Sequence, residues 1–179
     1  MKSIFYSFFL FLLSLNVFSQ EKATDIFSVK AGLIGAWIGY EKSLSENFTL
    51  SGEIGYEGGF FGGEAWKDNF SYVLTSTFSI DGKYYYNFDR RIEKDKNTIH
   101  NAANYIGLEM QYVPDFGTIS GTDNVEVVPS LSVYSKYGLK RNLSNHINFE
   151  FALGPGYRWA DNGSSGFTVG LDLRFGYNF

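Results

Sequence analysis

The sequence predicts an all-β chain whose strands close into one antiparallel up-and-down barrel, and three observations carry this. First, residues 167–179 alternate without a break. Phe167, Val169, Leu171, Leu173, Phe175, Tyr177 and Phe179 are apolar or aromatic, while Thr168, Gly170, Asp172, Arg174, Gly176 and Asn178 are polar, charged or glycine. A period of two means a strand with chemically opposite faces. Second, five further stretches repeat the pattern, and each approaches the roughly 9–11 residues that a strand tilted by about 45° needs to cross a bilayer. Third, aromatic residues make up 19% of the 179, with 20 glycines and only 3 prolines, a composition that suits many strands. The fold class expected is a closed transmembrane β-barrel of eight strands.

The elements follow in order. Lys2 precedes an apolar run from Ile4 to Val17, and Val17-Phe18-Ser19 supplies compact residues for cleavage. Residues 1–19 read as a secretory signal peptide removed after Ser19, leaving 20–179 as a single barrel domain. No cysteine follows the run, so no lipid anchor or disulfide is expected. Lys2 is the leader's one base, so 14 bases remain against 19 acids, a net charge of −5 with no electrostatic case for nucleic acid. No later segment offers about 18 consecutive apolar residues, so a membrane reading requires a closed barrel.

Residues 26–44 read either as one long strand, giving seven, or as two strands, 26–34 and 36–44, turning near Gly35. Parity favours the second, because single-chain bacterial outer-membrane barrels have even strand numbers. The remaining strands show their outward and inward sets directly. Phe48, Leu50, Ile54 and Tyr56 oppose Thr49, Ser51, Glu53 and Glu57; Leu74, Phe78, Ile80, Tyr84, Tyr86 and Phe88 oppose Thr75, Thr77, Ser79, Asp81 and Lys83. Ile106, Leu108, Met110 and Tyr112 oppose Gly107, Glu109 and Gln111; Leu131, Val133 and Tyr137 oppose Ser130, Ser132 and Lys136. Ile147, Phe149, Phe151, Leu153, Tyr157 and Trp159 oppose Asn148, Glu150, Ala152 and Arg158. Residues 43–47, 89–102 and 140–146 become periplasmic turns. The Gly35 turn, 58–69, 115–124 and 160–166 become outer loops. The second periplasmic turn is long for its position.

Which face is inside follows from bulk and charge. An eight-stranded interior holds only side chains of mixed size, so every Phe, Tyr and Leu of the apolar face would overpack it. Aromatics gather at both strand ends, Tyr40, Phe48, Tyr86, Phe88, Phe149, Tyr177 and Phe179 at one and Tyr56, Phe60, Tyr72, Tyr112, Tyr157, Trp159 and Phe167 at the other, as interfacial girdles do. The polar face carries both signs: Glu41, Glu53, Asp81, Glu109, Glu150 and Asp172 against Lys30, Lys83, Lys136, Arg158 and Arg174. These are expected to pair inside the lumen, since a base at mid-bilayer costs roughly 2–4 kcal/mol. Gly170, on the lumen face, should accept serine far better than Leu171 accepts arginine.

The leader, the eight amphipathic strands and the terminal DLRFGYNF together resemble the small outer-membrane β-barrel family of Gram-negative bacteria, the OmpA/OmpX-type barrels, over the whole mature chain. The resemblance implies contact with outer-membrane lipid. It also implies a C-terminal signal, Tyr177-Asn178-Phe179, read by the barrel-assembly machinery.

Some barrels of this architecture are enzymes, so catalytic groups must be sought. The two histidines, His100 and His146, both fall in turns at the periplasmic end and read as solvated, away from any outer-rim serine they could activate. No cysteine or histidine cluster suggests zinc. Glu53, Glu109 and Glu150 read as ion-pair members rather than an acid/base set. Glycine-rich 58–63 lacks the lysine and helix of a phosphate loop. Asp115, Asp123 and Asp161 lack the spacing of a calcium loop. The expectation is a non-enzymatic barrel with a plugged, charge-paired lumen and no cofactor, structural or presenting its outer loops to a partner. The alternatives are a narrow pore and a lipid-active enzyme.

Overall fold

The computed structural model describes residues 22–60, 72–120 and 127–179. The proposed leader 1–19 and most of the 58–69 loop lie outside the described residues. Strands β1 (Ile26–Gly32), β2 (Gly35–Ser45), β3 (Phe48–Phe60), β4 (Tyr72–Tyr84) and β5 (Asn104–Val113) are followed by a two-residue strand β6 (Ile119–Ser120). Then come β7 (Ser130–Asn142), β8 (Ile147–Ala160) and β9 (Ser165–Asn178). The order around the sheet is β3-β2-β1-β9-β8-β7-β5-β4, and the β3–β4 ladder joins its ends into a closed eight-strand antiparallel barrel. The segment 26–44 is two strands, paired from Ile26↔Glu41 to Gly32↔Gly35 about the Leu33-Ile34 turn. A side chain at Gly35 would meet the Trp37 ring and Tyr56 O at 2.5 Å, so this corner needs glycine.

Closure is made by the last strand. β9 pairs with β8 from Trp159↔Ser165 to Ile147↔Tyr177, and with β1 from Gly32↔Arg174 to Ser28↔Asn178. Both edges of β9 are paired near its end, so it stays a strand there and its side chains go on alternating between lumen and exterior. Pro155, which has no N–H to give, lies in β8 where the β7–β8 ladder skips Ser135 and Lys136 and resumes in the same register. β5 pairs with β4 only from Phe78 to Tyr84, and β6 takes the place beside β4 at Val73 and Leu74.

The apolar face points outward. Ile38, Ile54, Ile80, Ile106, Leu108, Met110, Leu153, Val169 and Leu171 are each more than 45% exposed, whereas the polar residues between them are buried. This inverts the arrangement of a soluble barrel, in which apolar side chains fill the inside. Aromatic contacts gather at both rims. Phe27–Phe179, Tyr177–Phe179 and Phe149–Phe175 lie 4.9–5.5 Å apart at the end that carries the chain termini, and Tyr157 contacts Trp159 and Phe167 at the other, the loop end. The Phe60 and Tyr72 side chains lie outside the described ones.

The long connection between β4 and β5 is the structural surprise, and its job explains its length. It forms helix α1 (Phe88–Ile92) and a 3-10 turn (Ile99–Asn101) and folds across the terminal end of the barrel. Phe88, expected outside, is 1% exposed and packs with Tyr85, Tyr105, Ala23, Ala103 and Ala152. The strand ends at Tyr84, so the two-residue period that runs through Tyr84 and Tyr86 no longer governs Phe88. Asn101 sits at φ 59°, a conformation asparagine tolerates. From there its side-chain oxygen accepts the Thr24 N–H (2.8 Å), and its amide donates to Glu41 Oε1 (2.7 Å). The plug is thereby tied to the N-terminal segment and to the lumen at once.

Candidate functional site

The lumen is crossed by charge. Lys30, Glu41, Glu53, Asp81, Lys83, Glu109, Lys136, Glu150, Asp172 and Arg174 all point inward from the polar side of their strands, each 9% exposed or less. Nine of them form one continuous series of ion pairs. Lys136 Nζ bridges Glu109 (2.8 Å) and Asp172 (2.7 Å), and Arg174 joins Asp172 (2.6 Å) to Glu53 (2.7 Å). Lys30 joins Glu53 (2.7 Å) to Glu150 (2.8 Å), and Lys83 joins Glu150 (3.0 Å) to Asp81 (3.6 Å). Arg174–Glu53 and Lys83–Glu150 each reach over two intervening strands, so they act as struts between walls rather than as neighbours on one wall. Buried charges are tolerable only when paired and hydrogen-bonded, and this series meets that condition along almost its whole length. Asp81 Oδ1 and Glu109 Oε1 have no partner among the described residues.

The tenth residue, Glu41, pairs with a group expected elsewhere. The sequence reading puts Lys140 at the start of the 140–146 turn, but β7 continues to Asn142 and turns Lys140 inward, 1% exposed, at 3.5 Å from Glu41. Its parity with Lys136 carried that signal. Tyr85 and Tyr105 donate hydrogen bonds of 2.7 Å to Glu41 and Glu150. Both sit at inward positions, and Gly138 makes room for one of them: a Cβ there would lie 2.1 Å from Tyr105 Cζ. Trp37, also inward, lies under the Arg174 guanidinium at 4.2 Å. Gly170 corrects another expectation. A side chain there would meet Lys136 Cε at 2.6 Å and the Tyr134 ring at 2.9 Å, so the position is packed shut.

Arg158 does not belong to the network. It is eight residues along β8 from Glu150, on the order of 27 Å at a strand's rise. Its side chain is exposed at the loop end with no carboxylate partner among the described residues. There it lines a cavity of about 440 Å³ on the loop side of the ion-pair series. The walls are mixed: Glu57, Gln111 and several hydroxyls stand among Val73, Val113, Val127 and Val128. A second hollow shares Val128, Arg158 and Thr168 with the first and extends to Asn162 and Ser164 in the β8–β9 turn, so the space opens toward the loops.

The remaining candidates separate in space. His100 and His146 lie at the terminal end with ring centroids 6.5 Å apart. His146 contacts Asn178 O through Nδ1 (3.1 Å), and His100 is half-buried rather than solvated; burial, with Lys140 and His146 nearby, pushes its pKa down. Burial pushes the neighbouring Asp25 carboxyl up, but hydrogen bonds from Lys42, the Ser43 amide and Tyr40 outweigh it and hold the group below its ordinary range. Glu53 and Glu150 share the ion-pair series with Glu109 but each is neutralised by its own bases. Asp115 and Asp161 are exposed and apart, and Asp123 lies outside the described residues. Among the described residues no group of three acids, histidines or cysteines could hold a metal, and no helix is long and apolar enough to cross a membrane.

Tyr177 and Phe179 face outward at the closing seam, 45% and 68% exposed, and the Phe179 N–H donates to Phe27 O (3.0 Å). Comparison with protein-family models, curated proteins and solved structures finds no match for this chain.

Proposed function

We propose that this chain is a non-enzymatic integral outer-membrane β-barrel protein with a plugged lumen, either structural or presenting its loop end to a partner. One observation carries the reading: the barrel is apolar outside and charged inside. A soluble monomer rarely exposes contiguous apolar surface beyond a few hundred Å², yet here most outward positions of eight strands are large and apolar, with Leu108 at 62% and Val169 at 67% exposure. Hydrocarbon is the solvent that such a surface fits, and a closed barrel presents no open strand edge for it to penalise. The rim aromatics suit the two interfaces. The ion-pair series and the β4–β5 plug favour a barrel that does not conduct. The leader and the Tyr177-Asn178-Phe179 ending fit export followed by insertion through the assembly machinery.

Fractionation tests this. The mature protein should sediment with outer membranes and run at different apparent sizes in SDS before and after boiling, because heat breaks a closed ladder that detergent spares. Recovery as a soluble periplasmic protein without a heat shift refutes it.

A further inference from the structure

The loop-end cavity has a polarity that the ion-pair series beneath it does not need. Inside the barrel, Lys30, Lys83, Lys136, Lys140 and Arg174 each have a carboxylate partner. Arg158 has none among the described residues. Around it stand hydroxyls: Ser132 is its direct cross-strand partner on β7, Ser130 lies two residues farther out, and Thr168 reaches the same cavity from β9. Ser130 is 1% exposed, and its Oγ has no hydrogen-bond partner among the described residues. A buried hydroxyl left unmade costs on the order of 1–3 kcal/mol, so a free one lining a cavity beside an unpaired guanidinium is a feature to be explained. Together they form a wall that suits a carboxylate.

The facing wall has the opposite character. Glu57 lies on β3, four strands from β8 whichever way round the barrel one counts, and it borders the same cavity. Gln111 Nε2 donates to its Oε2 at 2.7 Å, which fixes the carboxylate and leaves its other oxygen available. Between the charged walls lie valine side chains. We propose that this cavity binds a small zwitterion of the free-peptide class, its carboxylate against Arg158 and Ser130 and its ammonium group against Glu57. The cavity's 440 Å³ falls within the roughly 300–1,000 Å³ of small-molecule sites. This goes beyond the membrane reading and does not depend on it, because binding to folded barrel is measured separately from where the barrel resides.

Titration calorimetry on the refolded protein, with trialanine as the probe, tests it. Trialanine should bind saturably at one site per barrel. N-acetyl-trialanine, which lacks the ammonium, and trialanine amide, which lacks the carboxylate, should each bind about tenfold more weakly, as loss of one charged hydrogen bond implies. Arg158→Gln should abolish the discrimination against the amide, and Glu57→Gln the discrimination against the acetylated peptide. The heat-dependent mobility shift reports that each variant is folded, and the three peptides test the unmutated protein regardless. Absence of saturable binding overturns the proposal. So does equal binding of all three peptides, and so does discrimination against the amide alone, which describes an anion site.

Discussion

Removing Glu150 should cost more than removing any other single charge in the barrel, and the contacts give the size. Its Oε2 accepts from Lys30 (2.8 Å), and its Oε1 accepts from Lys83 (3.0 Å) and from the Tyr105 hydroxyl (2.7 Å). After Glu150→Ala, Lys30 keeps Glu53 at 2.7 Å, but Lys83 keeps only Asp81 at 3.6 Å, and both lysines stay at 3% exposure or less. A buried charge stripped of its close partner costs about 3–5 kcal/mol, and the orphaned Tyr105 hydroxyl adds on the order of 1 kcal/mol. Against a total of roughly 5–15 kcal/mol for folded domains, that is a large fraction. Arg158→Ala is the control, because an exposed side chain outside any network should change stability by about 0.5 kcal/mol or less. Urea unfolding of refolded protein in detergent, followed by tryptophan fluorescence, measures both. Replacing Lys83 by methionine in the Glu150→Gln background removes a charge together with its former partner and should recover part of the loss. If Glu150→Ala and Arg158→Ala are equally mild, the lumen is wet and the ion pairs do not hold the walls together.

Two further outcomes test the faces and the closing strand. Leu171, 56% exposed near the middle of β9 and opposite Leu153, should destabilise the barrel in bilayers by roughly 2–4 kcal/mol when changed to arginine. Gly170→Ser should also be costly, about 1–3 kcal/mol from overpacking against Lys136 and Tyr134, and unlike Leu171→Arg its cost should be the same in detergent and lipid. Deleting Phe179 removes an exposed ring and one hydrogen bond at the seam. It should lower outer-membrane yield in cells far more than urea resistance after refolding; equal losses would mean that the residue acts only through stability.

Much of this architecture was legible in the residues because a strand's period is short and local. Asp172 and Arg174 declare one face and Leu171 and Leu173 the other, whatever lies across the sheet. The same parity puts eleven charges inside, ten of which are buried, and it extends to Lys140, which a turn reading conceals because Lys140 adjoins the polar stretch Arg141–Asn142. The plug was not legible. Phe88 continues the outward period of Tyr84 and Tyr86 on paper, and only the end of the strand, followed by packing on Tyr85 and Tyr105, turns it inward. Arg158 shares the inward parity of Glu150, yet parity says nothing of height, and height separates the ion-pair series from the cavity. Gly170 looked permissive for the same reason: alternation assigns a face, while the space on that face is set by Tyr134 from another strand.

The most direct test of the central claim, that the outward apolar face lies in hydrocarbon, is the accessibility of spin labels along β9. The natural chain contains no cysteine, so a single cysteine at Val169, Leu171 or Phe175 is uniquely labelled. In lipid vesicles, labels at these outward positions should collide readily with dissolved oxygen and scarcely with a water-soluble nickel chelate, most strongly at Leu171. A label at Asn162, in the exposed β8–β9 turn, should show the reverse. Chelate access at Leu171 equal to that at Asn162 would place the face in water and contradict the account.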